Sequence, residues 1–237
     1  MTHLVEPTQL ELLAAANQRL VRTVDGLDDS TYAQASLLPD WTVGHVLAHV
    51  ALNGEGLAGA LRGVTTGAGT PMYESQDARD RDIAALGVAV PSDIRARVQA
   101  STQLFDRELA ALPHDQWEAT IERTPGNPAF RARSTVLMRL REVEIHHADL
   151  GLDYSNRDWV PAFSVQVIES ALKRAGDWPV PFRVLARDLA QTWELGDGEP
   201  ASTVSGDAHD LAWWLTGRDD RGTLTVDRDE LPEVPAW

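Results

Sequence analysis

The chain has 237 residues, no cysteine and a formal charge of -15, with 43% hydrophobic and 24% charged residues. That length can bury a sizeable core, and the missing thiols exclude disulfides, zinc–thiolate sites and a cysteine nucleophile. The acidic balance argues against nucleic acid or an anionic membrane surface as a partner, so an anionic substrate needs a locally positive site.

The N-terminus shows no basic leader followed by an apolar core, and no apolar run reaches about 18 residues. The expectation is a cytoplasmic protein with no membrane partner. From Pro7 to about Leu27 the apolar positions Leu10, Leu13, Leu20, Val21 and Val24 follow a helical stripe. A break at Leu37-Leu38-Pro39-Asp40 precedes a second helix, capped by Asp40 or Thr42 and running to about Arg62. Residues 63–78 read as a loop, rich in glycine and threonine. A third helical region begins near Ser75 and stops before Pro91, where Pro91-Ser92-Asp93 opens the pattern DIRARVQASTQLFDRELAAL. Residues 113–133 read as irregular around a TPGNP turn, and Ser134-Thr135 then leads into VLMRLREVEIHHADLGL with a glycine stop at Gly151.

Four principal helices in one stretch predict an antiparallel bundle over residues 1–154. Beyond it the texture changes to mixed helix and strand. WVPAFSVQVIESALKRAG and SGDAHDLAWWLTGR read as helices, and FRVLARDL, QTWELG and TLTVDRD as strands. The fold class expected is therefore α+β, a helical bundle followed by a smaller α/β domain over residues 155–237.

The stretch from Glu142 to Asp149 holds two glutamates, two histidines and an aspartate. Side chains four apart share a helix face, which selects Glu142 with His146; a spacing of three offers Glu144 with His147 on another face. Periodicity alone does not choose between the pairs. The second helix adds His45 and His49, again four apart. Two histidines and a carboxylate with an open fourth position make a catalytic zinc site, and facing helices of a bundle bring such ligands together. Read from spacing alone, exposed polar residues and satisfied helix histidines account for these side chains about twice as readily.

The segments DWTVGHVLAHVALN (40–53), TPMYESQDAR (70–79), MRLREVEIHHADLG (138–151) and LTGR (215–218) resemble the mycothiol-dependent maleylpyruvate isomerases, within the DinB-like group of metal-dependent thiol enzymes. The resemblance spans nearly the whole chain in order. It implies a DinB-like four-helix bundle with a C-terminal α/β domain, and a zinc or other divalent ion on His49, Glu142 and His146. His45 and His147 become neighbours of that site. It further implies cis–trans isomerisation of maleylpyruvate to fumarylpyruvate, a step of aromatic-acid breakdown by the gentisate route. Mycothiol then supplies the thiol that the chain lacks. The partners are a dicarboxylate substrate and a low-molecular-weight thiol. Arg79 and Arg218 are the arginines placed to hold a carboxylate and stabilise an enolate, with Arg218 bringing the second domain to the cleft. Asn53 is a candidate for orienting a ligand or cofactor, and Tyr73 for lining the pocket. Trp213 and Trp214 read as core or interface residues. The competing readings are a mycothiol S-transferase acting on another electrophile, and a metal- or ligand-binding protein without catalysis.

Overall fold

A computed structural model describes residues 8–174, 178, 180–219, 222–228 and 230–234. The chain divides into two compact units, with the boundary in the sequence between Asp153 and Tyr154. The first is built from α1 (Gln9–Gly26), α2 (Val43–Thr66), α3 (Gln76–Gly87), α4 (Pro91–Ala111), a hairpin of β1 (Thr120–Glu122) and β2 (Ala129–Arg131), and α5 (Ser134–Asp149). The second contains α6 (Pro161–Leu172), β3 (Phe182–Ala186), β4 (Gln191–Leu195), β5 (Thr203–Gly206), α7 (Ala208–Leu215) and β6 (Thr225–Val226). This is a helical domain followed by a sheet-containing one, the α+β class expected.

The long helices of the first unit start where polar side chains close their free N–H groups. Thr8 caps α1 with Glu11 completing a capping box, Ser75 accepts from Ala78 N–H at the head of α3, and Pro91 opens α4. Helix α2 packs against both α4 and α5, and α1 packs against α5. Leu47, Leu57, Leu61, Ile94, Phe105 and Leu140 fill the interior with almost no solvent exposure. Burial of each such side chain contributes about 1.5–3 kcal/mol relative to water. Among the described residues no helix is long and apolar enough to cross a membrane.

Two boundaries differ from the sequence reading. Helix α2 continues to Thr66, so the loop is shorter than 63–78. The segment expected to be irregular holds the β1–β2 hairpin, whose three-residue strands pair Ile121 with Phe130 around the TPGNP turn. Strands this short carry too little alternation to announce themselves. The hairpin matters because it anchors the loop after α2. Met72 N–H donates to Glu122 O and Tyr73 N–H to Arg123 O, each at 2.9 Å. On its other side the loop lies directly on α2. A Cβ added at Gly56 would stand 2.8 Å from Met72 O, and one at Gly63 2.6 Å from Thr70 N. The glycines of α2 thus permit the close approach that brings Tyr73 and Arg79 over the helix.

In the second unit the sheet order is β4-β3-β5-β6, with β3 and β5 parallel and the other pairs antiparallel. Its core is aromatic. Trp159 meets Phe163 and Trp213 with ring centroids 5.0 and 5.9 Å apart, and Phe182 meets Trp178 and Trp214 at 5.4 and 5.6 Å. Trp213 and Trp214 are buried within this cluster. The strand expected in TLTVDRD is reduced to Thr225–Val226.

Candidate metal centre

The two Glu/His pairs of α5 differ in what each face of the helix meets. Glu144 is buried and forms an ion pair with Arg19 of α1. His147 turns the same way, its Nε2 lying 2.9 Å from Thr23 Oγ1. Both belong to the α1–α5 interface. Glu142 and His146 occupy the stripe facing α2, where His49 projects between them. His49 Nε2 lies 2.8 Å from Glu142 Oε2 and 3.1 Å from His146 Nε2, and His146 Nε2 lies 3.4 Å from the same carboxylate oxygen. One ligand atom from each of the three side chains falls within 4.8 Å of the others.

His45, a turn earlier on α2, is occupied differently. Its Nδ1 lies 2.8 Å from Thr42 Oγ1, and its backbone N–H donates to that hydroxyl, so it completes the N-terminal cap of the helix. Trp41 stands edge-on to His49 with ring centroids 5.7 Å apart. Behind His146, the fully buried carboxylate of Asp149 accepts from Nδ1 at 2.8 Å. That bond fixes the ring so that Nε2 faces Glu142 and His49, the usual outer support of a metal-ligating histidine.

Burial and mutual contact set the electrostatics of the three groups. Burial opposes charge on all three, yet the two neighbouring histidines hold Glu142 well below the usual carboxylate range. For His146 the loss of solvation is outweighed by hydrogen bonds to Asp149 and Glu142, which push it up to about 9. His49 goes the other way, lowered chiefly by burial against the pull of Glu142. The carboxylate oxygen between the rings, Glu142 Oε2, is buried and makes no ordinary hydrogen bond beyond these contacts. Two imidazole nitrogens and one carboxylate oxygen converging in this way fit a divalent transition metal of the zinc type. Because a ligating imidazole must be neutral, metal uptake near neutral pH is expected to release about one proton from His146. Apparent affinity should then rise about tenfold per pH unit until the pH approaches the His146 value. Calorimetry in buffers of different ionisation enthalpy measures the release directly; uptake with no proton released contradicts this charge assignment.

Arg79, on the first turn of α3, reaches the same centre. Its Nη2 lies 3.1 Å from His49 Nδ1, its Nη1 donates to Asp80 Oδ1 at 2.7 Å, and its guanidinium carbon lies 5.8 Å from the Tyr73 ring centroid. Arg123 of the segment after β1 stands at the same distance from the Tyr73 ring. The Tyr73 ring therefore has two guanidinium neighbours, one of them the arginine that reaches His49. Asn53 points elsewhere. It is 2% exposed and its Oδ1 accepts from Arg139 Nη1 at 3.1 Å, inside the bundle. Arg218 lies in the second unit just past α7, where Nη1 donates to Thr216 O at 2.8 Å and the guanidinium carbon is 5.7 Å from the Trp213 ring. Sequence reasoning passed over Arg139 and Arg123. Arg139 had a legible signal, since 139, 142 and 146 lie on one helical stripe.

The family model of the mycothiol maleylpyruvate isomerase N-terminal domain matches residues 13–151. Two crystal structures superpose on the chain with a TM-score of 0.88. One is of the mycothiol-dependent maleylpyruvate isomerase, 27% identical, with 97% of this chain and 95% of that chain covered. The other is of a histidine-to-alanine mutant of a mycothiol-dependent maleylpyruvate isomerase, 26% identical over the same shares. No curated protein matches the chain. The family match takes in more than half of the sequence and contains His49, Glu142 and His146. This chain belongs to the mycothiol maleylpyruvate isomerase N-terminal domain family.

Proposed function

We propose that the protein is a divalent-metal enzyme that isomerises maleylpyruvate to fumarylpyruvate with mycothiol as its thiol. The observation that carries this reading is the convergence of His49, Glu142 and His146 beside Arg79, in a chain without cysteine. A zinc ion held by the three side chains supplies the positive charge that keeps a nearby thiol ionised at neutral pH.

The chemistry asks little else of the protein. The thiolate adds to the alkene carbon β to the ketone, and the π electrons move onto the ketone oxygen as an enolate. The former double bond is now single and rotates. Collapse of the enolate restores the alkene in the trans form and expels the thiolate, so no proton or electron is gained or lost overall. The chain's share is to hold the dicarboxylate and to stabilise the enolate charge. Arg79 suits that task. With a metal held on His49 Nε2, Nδ1 would carry the ring proton and would not accept from Arg79. The guanidinium then becomes available to a carboxylate, which it binds with paired hydrogen bonds. Arg218 is proposed as the second cation for the same substrate, and Tyr73 as a wall beside Arg79. The burial of Asn53 under Arg139 supports a role in the scaffold more than contact with a thiol.

The deciding experiment is conversion of maleylpyruvate by zinc-loaded protein with and without mycothiol. Conversion is expected only with the thiol. With zinc confirmed bound, failure in both conditions removes isomerisation and transfers the thiol-dependent reading to conjugation of another electrophile. Conversion without any thiol removes the addition–rotation route.

A further inference from the structure

Helix α5 buries a cation one turn before its metal-facing residues. Arg139 has 0% exposure, and its Nη1 donates to Val50 O at 2.6 Å and to Asn53 Oδ1 at 3.1 Å, both on α2. Its Nε and Nη2 are buried without a hydrogen-bond partner. Burial draws its pKa down to about 10, which still leaves it charged at neutral pH. Such a group is costly to the fold. A desolvated guanidinium satisfied at one nitrogen by neutral acceptors is harder to keep than an apolar side chain of similar volume. Helix α2 also accommodates it at Gly54, where a Cβ would stand 3.0 Å from Nη2 and 3.1 Å from the guanidinium carbon. The residues engaged are telling. Val50 follows His49 directly, Asn53 lies one turn beyond it, and Arg139 precedes Glu142 by three positions.

We propose that Arg139 is a positioning residue of the metal centre, a buried tie between α2 and α5 that sets the register in which His49 meets Glu142 and His146. This inference rests on the reading of those three side chains as ligands. The tie acts on α2 at the residue next to one ligand and on α5 one turn from the next, so small shifts between the helices pass straight to the ligand set. Arg139 touches neither substrate nor thiol in this assignment. A merely structural role predicts a change in stability alone; a positioning role predicts a change in metal binding at constant stability.

The test uses the full chain, Co2+ as the probe, and two substitutions. Arg139→Met replaces the cation by an apolar chain of comparable length, so that relief of the buried charge offsets the loss of its bond to Asn53 Oδ1. Gly54→Ala adds a Cβ against the guanidinium while improving helix propensity, so it provides a folded variant whatever becomes of the first. The expected result is an unchanged thermal midpoint of the metal-free protein, a loss of Co2+ affinity of about 10–100-fold for Arg139→Met and a smaller loss for Gly54→Ala, with an altered Co2+ visible spectrum in both. Parent-like Co2+ affinity and spectrum in either folded variant overturn the proposal. Failure of the ligand reading is distinguishable, because the parent protein then takes up no Co2+ or His49→Ala leaves its uptake intact.

Discussion

His49→Ala is expected to abolish stable metal binding and thiol-dependent turnover while leaving the fold in place. Of the three proposed ligands it is the one supplied by α2, so its removal leaves two groups on a single helix, and metal affinity should fall by more than the roughly 10–100-fold typical of losing an outer support. The fold should survive because the surroundings of His49 are carried by other residues. Leu47, Ala48, Val50 and Ala51 are buried beside it, and the helix is capped at Thr42 independently. The same substitution also removes one of the groups that hold the Glu142 pKa down. With His49 gone, a carboxylate now held well below its usual range rises, and proton competition weakens the remaining pair further. Zinc stoichiometry after dialysis measures the first effect and thermal unfolding of the metal-free protein the second. Full zinc retention in the variant removes His49 from the ligand set.

The bundle was readable because its signals are local. Thr42, Ser75 and Pro91 each mark a helix start by chemistry that acts within one turn, and the periodicity of 91–111 needs no distant partner. The hairpin was unreadable for the opposite reason: Thr120–Glu122 and Ala129–Arg131 gain their order from pairing with each other and from the loop at Met72 and Tyr73. The site divides in the same way. Spacing brings Glu142 and His146 to one face, but choosing them over Glu144 and His147 depends on Arg19 and Thr23, more than a hundred residues away. Asn53 lies one turn beyond His49, and its bond to Arg139 in the interior is a long-range contact that spacing does not announce. An arginine that is fully buried goes against the usual habit of its residue type, so residue type alone assigns Arg139 to the surface even though it shares a stripe with Glu142 and His146. The resemblance to a known family supplied the long-range part at His49, whose side chain lies with those of Glu142 and His146.

Substitution of the two proposed substrate arginines separates binding of charge from binding of metal. A dicarboxylate approaching a chain of formal charge -15 meets net repulsion, and Arg79 is the cation that the described geometry puts in contact with the ligand set. Arg79→Ala is expected to leave zinc stoichiometry unchanged and to lower kcat/KM by about 10²–10³, the scale of losing one preorganised charge-stabilising donor. If Arg79 mainly holds the ground-state carboxylate, the loss falls on KM. If it stabilises the enolate as that charge develops, kcat falls with kcat/KM. Arg79→Lys keeps the charge and gives up the planar fork, so partial recovery of KM without recovery of kcat assigns paired hydrogen bonding to the transition state. Arg218→Ala carries the same expectation, retained metal with strongly weakened catalysis, but tests a residue whose role derives from the family resemblance and not from contact with the triad. Parent-like kinetics for Arg218→Ala alone remove the second unit from catalysis and leave the metal centre standing. Parent-like kinetics for Arg79→Ala remove the carboxylate anchor itself, and with it the local positive charge by which this acidic protein would admit the proposed dicarboxylate.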